Sequence, residues 1–311
     1  MREFDQTMII DTSYCKHKII DVHGQTGVAW LDTLPSLLAG FAARWSLEIL
    51  PPFPVPSYNY VVPVVGPGGE PLVLKAGVPH DELWSEIDAL RVFDGRGIAR
   101  LLDADRERGV LLLERVLPGD PLRLIEEVDQ QVGAFVDVLQ RLWRPLPEGH
   151  SFRTIPDLAR GFERLRRRFD GGYGPFPARR VERAAALFRE MAGNTAAAML
   201  IHGDMNPGNV LRDGSGWRAI DPKGYAGHPL WDVATFLNDP PVCLCRDDLT
   251  RMQARRVMTL AEALNVSRSE VLAWAEAHAV LSAWWSYEDH GVGWEPALAL
   301  AEIYEESQRP L

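Results

Sequence analysis

The sequence is poor in cysteine, with only Cys15, Cys243 and Cys245 in 311 residues. Three is too few, and an odd number, for a disulfide framework, so a reducing compartment is expected. Cys243 and Cys245 form a C-x-C pair without a second pair or a metal-spaced His, and read as small buried hydrophobes instead of a zinc site. Long apolar runs are also missing: none approaches the roughly 20 residues a bilayer crossing takes, so no membrane partner is expected. The N-terminal stretch "MREFDQTMIIDTSYCKHKIIDVHG" breaks its Ile pairs with charges and has no apolar core with a small-residue cleavage site. A cytoplasmic location follows as the expectation. Positive charge is in deficit, since the formal net charge is -10, which argues against a nucleic-acid partner. The run "RLRRR" from Arg164 to Arg168 is the local exception and reads as a solvated helix face. There is no internal repeat and no low-complexity tract.

What is present has the make-up of an ordinary globular protein, 46% hydrophobic and 24% charged, and long enough for two domains or one bilobal unit. The segment 29 to 50, "AWLDTLPSLLAGFAARWSLEIL", repeats apolar residues at helical spacing, and the Pro-rich "PPFPVP" at 51 to 56 ends it. "YNYVVPVV" and "PLVLKAG" are strand-like runs joined by "GPGGE", the punctuation of a hairpin. "DELWSEIDALRVFDG" reads as a helix, with Asp81 or a neighbour as N-cap and Gly95 as its stop. "GVLLLERVLPGDP" is an apolar run of strand length closed by Pro118 and Gly119. The order is strand, strand, helix, strand. Beyond Pro121, "LRLIEEVDQQVGAFVDVLQRLW", "DLARGFERLRRRF", "VERAAALFREMAG" and several segments after residue 246 are amphipathic helices. Only the neighbourhood of 199 to 221 interrupts them, where "AAML", "NVLRD" and "WRAID" look like short strands or loop edges.

Within that interruption, residues 202 to 209 read "HGDMNPGN" and residues 220 to 223 read "IDPK". Nucleotide phosphoryl transfer needs a base beside the acceptor hydroxyl, oxygen ligands for magnesium, and a cation for the α- and β-phosphates. Asp204 suits the first role, Asn209 and Asp221 the second, and Lys75 at the end of "PLVLK" the third, with Glu86 on the following helix to hold the lysine. Lys, Glu, Asp, Asn, Asp is the order of the kinase signature set.

"LIHGDMNPGNVL" followed by "AIDPKGYAGHPLWDVATFL" resembles the catalytic and magnesium loops of the aminoglycoside phosphotransferase family, in its streptomycin and hydroxyurea phosphotransferase branch. "LVLKAGVPHDELWSEIDALR" and "LLLERVLPGDPL" are similar to the same branch, so the likeness spans roughly 29 to 305; residues 1 to 28 match nothing. The resemblance implies a bilobal α+β protein-kinase-like fold, with a small antiparallel-sheet N-lobe over 1–117 and a mostly helical C-lobe over 118–311. ATP would lie between them, bound with Mg2+. It makes Asp204 the catalytic base, Asn209 and Asp221 the magnesium ligands, and Lys75 with Glu86 the phosphate-binding pair. Leu113 to Val116 would be a hinge where the backbone of Glu114 and Val116 meets adenine. Asp232 would fix the catalytic loop by accepting backbone N–H bonds, with His202 in support.

The sequence also departs from the kinase pattern. No G-x-G-x-x-G occurs at 57 to 69, so phosphate contacts there would come from backbone N–H groups near "PSYNY", with Ser57 or Asn59. Asp221 is followed by Pro, and the short path to Asp232 leaves no room for an activation segment, which points to a small-molecule acceptor in place of a peptide. Lys223 either touches a phosphate or is a surface lysine. Trp284, Trp285 and Tyr287 beside Glu288 and Asp289 read either as a pocket for a polyhydroxylated cation or as core. Asp239, Asp247 and Asp248 are substrate candidates or ordinary helix caps. Residues 239 to 311 carry twelve Asp or Glu against six Arg and no Lys, which favours a cationic aminoglycoside over neutral hydroxyurea, although the same excess would serve solubility. The expected activity is transfer of the γ-phosphate to a small-molecule hydroxyl, giving antibiotic resistance. A kinase of an unrelated metabolite, a silent nucleotide-binding module and a metal-dependent phosphohydrolase are the alternatives. Oligomeric state is not readable.

Overall fold

The computed structural model describes residues 11–53, 57–193, 197–240 and 245–308. They divide into two units: one takes the chain up to Gly95 together with Ala99–Arg115, the other takes Arg96–Ile98 and everything from Val116 onward. Cys243 and the end of the Pro-rich stretch at 54–56 lie outside the described residues.

In the first unit, α1 runs Lys16–Trp45, broken at Gly24, whose φ of 56° and ψ of -132° leave the helical region. The helix starts well before position 29, because the Gly24 break resets the apolar phase and hides residues 16–28 from a periodicity reading. It also stops before 50. Ser46, at φ 55°, ends it in the left-handed conformation, and Glu48–Ile49 forms β1. β2 (Tyr60–Val65) and β3 (Pro71–Ala76) make the expected hairpin, closed where Gly66 N–H donates to the Glu70 carbonyl at 2.9 Å. α2 (Asp81–Phe93) has His80 as its N-cap residue, with Asp81 in the first turn, and ends at Asp94 in the left-handed conformation ahead of Gly95. β4 (Leu101–Asp105) and β5 (Val110–Glu114) complete an antiparallel sheet of order β1-β2-β3-β5-β4. The sequence reading lacked β1, which is two residues long, and β4, whose "LLDAD" has no β-branched residue. Leu34, Leu38 and Phe41 of α1, one helical stripe, bury themselves with Val62, Val64, Leu72, Leu74 and Leu112 of the sheet. Each such side chain contributes about 2 kcal/mol of burial free energy. Tyr14 completes the edge: its hydroxyl accepts from Val61 N–H at 3.0 Å and donates to the Val61 carbonyl at 3.2 Å.

The second unit begins with β6 (Pro118–Pro121), so the apolar run from 109 to 121 is two strands of different sheets. A 3-10 turn at Leu122–Leu124 follows, and α3 starts only at Val128, continuing to Leu142. β7 (Arg153–Thr154) leads into α4 (Ile155–Leu158), capped by a reciprocal Thr154–Asp157 box, and α5 (Arg160–Arg168), which divide the single helix expected there. α6 (Ala178–Ala192), β8 (Met199–Ile201), β9 (Val210–Asp213), β10 (Gly216–Ala219) and β11 (Tyr225–Gly227) come next. They build two three-stranded sheets, β10-β9-β6 and β7-β11-β8. α7 (Leu230–Leu237), α8 (Arg246–Leu264), α9 (Arg268–His290) and α10 (Glu295–Ser307) finish the unit. Among the described residues no helix is long and apolar enough to cross a membrane. Cys15 is buried as a hydrophobe, but Cys245 is not: it is exposed just before α8, where its thiol donates to Asp248 at 3.0 Å.

Candidate active site

β8 ends at Ile201, and the chain then turns through Gly203, at φ +86°. A Cβ there would stand 2.7 Å from the Tyr225 ring, so the close approach of β11 requires glycine. Asp232, wholly buried in the first turn of α7, holds this turn from behind: its carboxylate accepts from Gly203 N–H at 2.7 Å, His202 N–H at 3.1 Å and Trp143 Nε1–H at 3.1 Å. Burial pushes the Asp232 carboxyl above its ordinary range, against the pull of the His202 ring and the three donors. His202 is also fully buried. Its Nε2 faces the Ile220 carbonyl at 2.8 Å and its Nδ1 the Asp204 amide N–H at 3.2 Å. A carbonyl only accepts and an amide N–H only donates, so the proton sits on Nε2 and the ring bridges the 204 loop to the 220 loop.

Asp204 is half-buried at the loop tip. Asn206 Nδ2 donates to its Oδ1 at 3.2 Å, while Asn209 Nδ2 donates to its main-chain carbonyl at 2.9 Å and more weakly to Oδ2 at 3.4 Å. Both Asn209 bonds use the amide nitrogen and leave the carbonyl oxygen, the atom a hard cation takes, outside them. Ile220 N–H donates to the Asn209 carbonyl at 2.9 Å, which brings Asp221 alongside Asn209. Asp221 is exposed and left-handed, at φ 59°, a conformation that costs any residue but glycine and that Asp and Asn tolerate best. Lys223, two residues on, donates its backbone N–H to the His202 carbonyl at 2.8 Å and is half-buried. The structure thus gathers Asp204, Asn209, Asp221, His202, Lys223 and Asp232 into one hydrogen-bonded assembly.

In the first unit, Lys75 on β3 and Glu86 on α2 are 3% and 6% exposed, and Lys75 Nζ donates to both carboxylate oxygens, at 2.7 and 2.8 Å. A buried lysine is tolerable only with such a partner. Ser57 Oγ accepts from Asn59 N–H at 3.1 Å, and the Asn59 side chain lies over Gly77, where a Cβ would meet its Oδ1 at 2.1 Å. The Glu114 amide N–H donates to the Arg100 carbonyl at 2.9 Å and is spent inside the sheet. Val116 is buried at the start of the second unit's main segment.

The acceptor candidates separate. Asp239 follows α7, and its Oδ2 lies 3.7 Å from Arg123 Nη2. Burial pushes its carboxyl up, Arg123 and Arg256 pull it down, and Asp204 is near enough to raise it. Glu288 takes both oxygens to Arg164, at 2.6 and 2.7 Å, on the wall of a pocket of about 660 Å³ lined also by Arg167, Arg168, Trp284 and Tyr287. That lining is net cationic, three arginines against one glutamate, the reverse of what a cationic acceptor needs. Asp289 is exposed, and among the described residues neither it nor Glu288 bonds to the 202–209 loop. Trp285 packs near Trp231, whose Nε1–H donates to the Gly203 carbonyl at 3.2 Å, so it buttresses the loop, and Trp284 is core. Asp247 and Asp248 lie in the first turn of α8. Sequence reasoning missed Arg123, Asn206, Trp143 and Arg256 around the loop. Asn206 lay in plain view inside "HGDMNPGN", but no spacing rule connects residue 123 or 256 to it.

The family model described as aminoglycoside/hydroxyurea antibiotic resistance kinase matches residues 52–290. The chain belongs to that family. Among curated members, a streptomycin 6-kinase of Streptomyces glaucescens is 31% identical over 278 residues, covering 88% of this chain and 90% of the relative. A hydroxyurea phosphotransferase of Kitasatospora aureofaciens is 32% identical over 290 residues, covering 90% of this chain and 81% of the relative. Solved structures agree on the protein-kinase-like fold. A choline kinase from Streptococcus pneumoniae superposes with a TM-score of 0.63 at 13% identity, over 88% of this chain and 99% of that one. An aminoglycoside phosphotransferase APH(4)-Ia in ternary complex with ADP and hygromycin B gives 0.56 at 16% identity, over 88% and 99%.

A kinase of this family draws its phosphoryl group from a nucleotide, and the donor set suits Mg2+ as the accompanying metal. Among the described residues no group of three His, Cys, Asp or Glu side chains would cage a metal. Asn209 and Asp221 offer two hard oxygen ligands on adjoining segments, and Mg2+, which keeps waters and phosphate oxygens in its shell, asks for no more.

Proposed function

We propose that this kinase transfers the γ-phosphoryl group of ATP to a hydroxyl of a streptomycin-like aminoglycoside or of hydroxyurea, inactivating the antibiotic in the cytoplasm. The observation that carries the reading is the single assembly in which His202, Asp232 and Asn209 fix the backbone of the Asp204 loop, while Ile220 N–H, bonded to the Asn209 carbonyl, ties in the segment that bears Asp221. We assign nucleotide binding to residues 1–117, through Lys75, Glu86, Ser57, Asn59 and the backbone of Glu114 and Val116. Catalysis and acceptor binding fall to 118–311.

Bound Mg2+·ATP supplies the phosphoryl group and the cation that neutralises its developing charge. Asn209 Oδ1 and the Asp221 carboxylate would hold the metal. In the first unit Lys75 Nζ, aimed by Glu86, would hold phosphate oxygens; in the second, Lys223 is the cation of the Asp221 loop that would meet a phosphate. Asp204 accepts the proton of the acceptor hydroxyl at its carboxylate while the bonds from Asn206 and Asn209 keep that carboxylate oriented. His202 and Asp232 take no part in proton transfer; they fix the loop's position.

An ADP-release assay over streptomycin, other aminoglycosides and hydroxyurea tests the reading. One acceptor should give ADP and phosphorylated product in equal amounts. Nucleotide binding with no turnover on any acceptor would favour a silent module, and tightly held zinc or manganese in nucleotide-free protein would favour a phosphohydrolase.

A further inference from the structure

Arg256 is 1% exposed, yet among the described residues its Nε and Nη1 have no hydrogen-bond partner. Only Nη2 is used, donating to Gln131 Oε1, and the guanidinium lies over the Phe236 ring at 4.9 Å. A buried cation this poorly matched needs an anion close by. Besides the Tyr304 hydroxyl, Asp239 is the carboxylate whose charge acts on Arg256, although among the described residues no direct ion pair joins them. The pair shares a scaffold, since Gln131 Nε2 donates to the carbonyls of Leu122 and Ile125 at 3.3 and 3.1 Å and so holds the 3-10 turn that bears Arg123.

Arg123 occupies the other side of Asp239. Its backbone N–H donates to the Pro207 carbonyl at 3.1 Å, which docks the turn on the Asp204 loop. Its guanidinium, 55% exposed, touches Asp239 at 3.7 Å and Asn206 Oδ1 at 3.4 Å. Both are long contacts for charged partners, which prefer 2.7–2.9 Å. Asp239 therefore stands between a buried arginine that cannot leave and an exposed one that is loosely held, within electrostatic reach of the Asp204 carboxylate.

We infer that Asp239 is the anchor for a cationic group of the acceptor, and that the Arg123 guanidinium occupies this subsite until the acceptor's own guanidinium or ammonium displaces it. The inference rests on the proposed function and sharpens it, because streptomycin carries guanidinium groups and hydroxyurea carries no cation. Burial pushes the Asp239 carboxyl up, and Arg123 and Arg256 pull against that rise. A polyol cationic at one end and held there presents a hydroxyl to Asp204 a few bonds away.

The test is equilibrium binding of streptomycin by calorimetry, with nucleotide present, to the wild-type protein and to Asp239→Asn, Arg123→Ala and the double variant. Asp239→Asn should weaken binding tenfold or more, and Arg123→Ala should tighten it about threefold at low salt, since an internal competitor is gone. The double variant should bind as weakly as Asp239→Asn. Binding by Asp239→Asn within twofold of wild type, or weaker binding by Arg123→Ala, overturns the inference. Should Asp239→Asn unfold, Arg123→Ala, altered at an exposed turn, decides alone. Binding does not depend on turnover: a protein that binds streptomycin through Asp239 but releases no ADP would sink the phosphotransferase reading and keep the subsite. One that phosphorylates hydroxyurea and binds no streptomycin would do the opposite.

Discussion

Two corners of the helical unit place a carboxylate beside arginines, Asp239 after α7 and Glu288 near the end of α9, and in the sequence they are equivalent acceptor candidates. In three dimensions they are opposites. Glu288 is locked fork to fork by Arg164, with Arg167 and Arg168 beside it, so its charge is already consumed and the pocket it lines is net cationic. Asp239 has one arginine behind it in the core and one loosely in front, so its charge is available to solvent next to Asp204. An acidic residue's worth to a cationic ligand is set by how tightly its own arginines hold it, and those arginines come from far along the chain.

The largest effect belongs to the first corner. Asp204→Ala should cut turnover by about a thousandfold, the usual cost of losing a positioned general base, with nucleotide affinity nearly unchanged. Steady-state kinetics beside a nucleotide-binding titration measures both. A variant that loses nucleotide binding as well would show that the loop is misassembled. Next comes Asp232→Ala, which strands Gly203 N–H, His202 N–H and Trp143 Nε1–H in the core. We expect a loss of about 3 kcal/mol in urea unfolding, together with lost turnover. Among the described residues no buried carboxylate supports the Glu288 corner in this way, and an equal loss from altering it would erase the contrast.

Much of this was legible in the sequence. The hairpin from Tyr60 to Ala76, the Lys75 and Glu86 pair and the 202–221 loop all carry their cues within a few residues: a glycine-rich turn, an apolar strand ending in lysine, an Asp and an Asn flanking Pro-Gly. β1 was hidden because two residues make no pattern, and the start of α1 because Gly24 breaks its phase. The Asp239 corner was half legible. Its acid could be seen, but the ring of Arg123, Gln131 and Arg256 around it is assembled by tertiary packing of α3, α8 and the 122–124 turn. For the same reason Glu288 looked available when Arg164, more than a hundred residues away, had already taken it.

The first corner should also be acid-sensitive. His278 on α9 is buried, edge-on to Trp231, and its Nδ1 accepts from Asn238 Nδ2 at 3.1 Å, one residue before Asp239. Burial lowers its pKa from 6.5 to about 4. Well above pH 6.5 the ring is neutral both folded and unfolded, and it adds no pH dependence. As pH falls from 6.5 to about 4, the unfolded chain takes a proton that the folded ring refuses, so stability drops by at most about 3 kcal/mol over that window. Chemical denaturation between pH 7 and 4.5 measures the slope, and His278→Gln should flatten it. An unchanged slope in the variant would mean that this ring does not govern the acid response.

The smallest effect is expected at the second corner. The Arg164–Glu288 pair is about one-third exposed on both sides, so water screens it and Glu288→Gln should cost under about 1 kcal/mol. The substitution frees Arg164 and makes the pocket more cationic, which gives a cationic antibiotic no reason to bind less or more at Asp239. Streptomycin affinity should therefore stay within twofold, against the tenfold loss expected for Asp239→Asn. A tenfold loss at Glu288 would reverse the assignment of the two corners: it would mean that the antibiotic breaks the Arg164 fork and pairs with Glu288 itself, and that Asp239 only steadies the turn carrying Arg123.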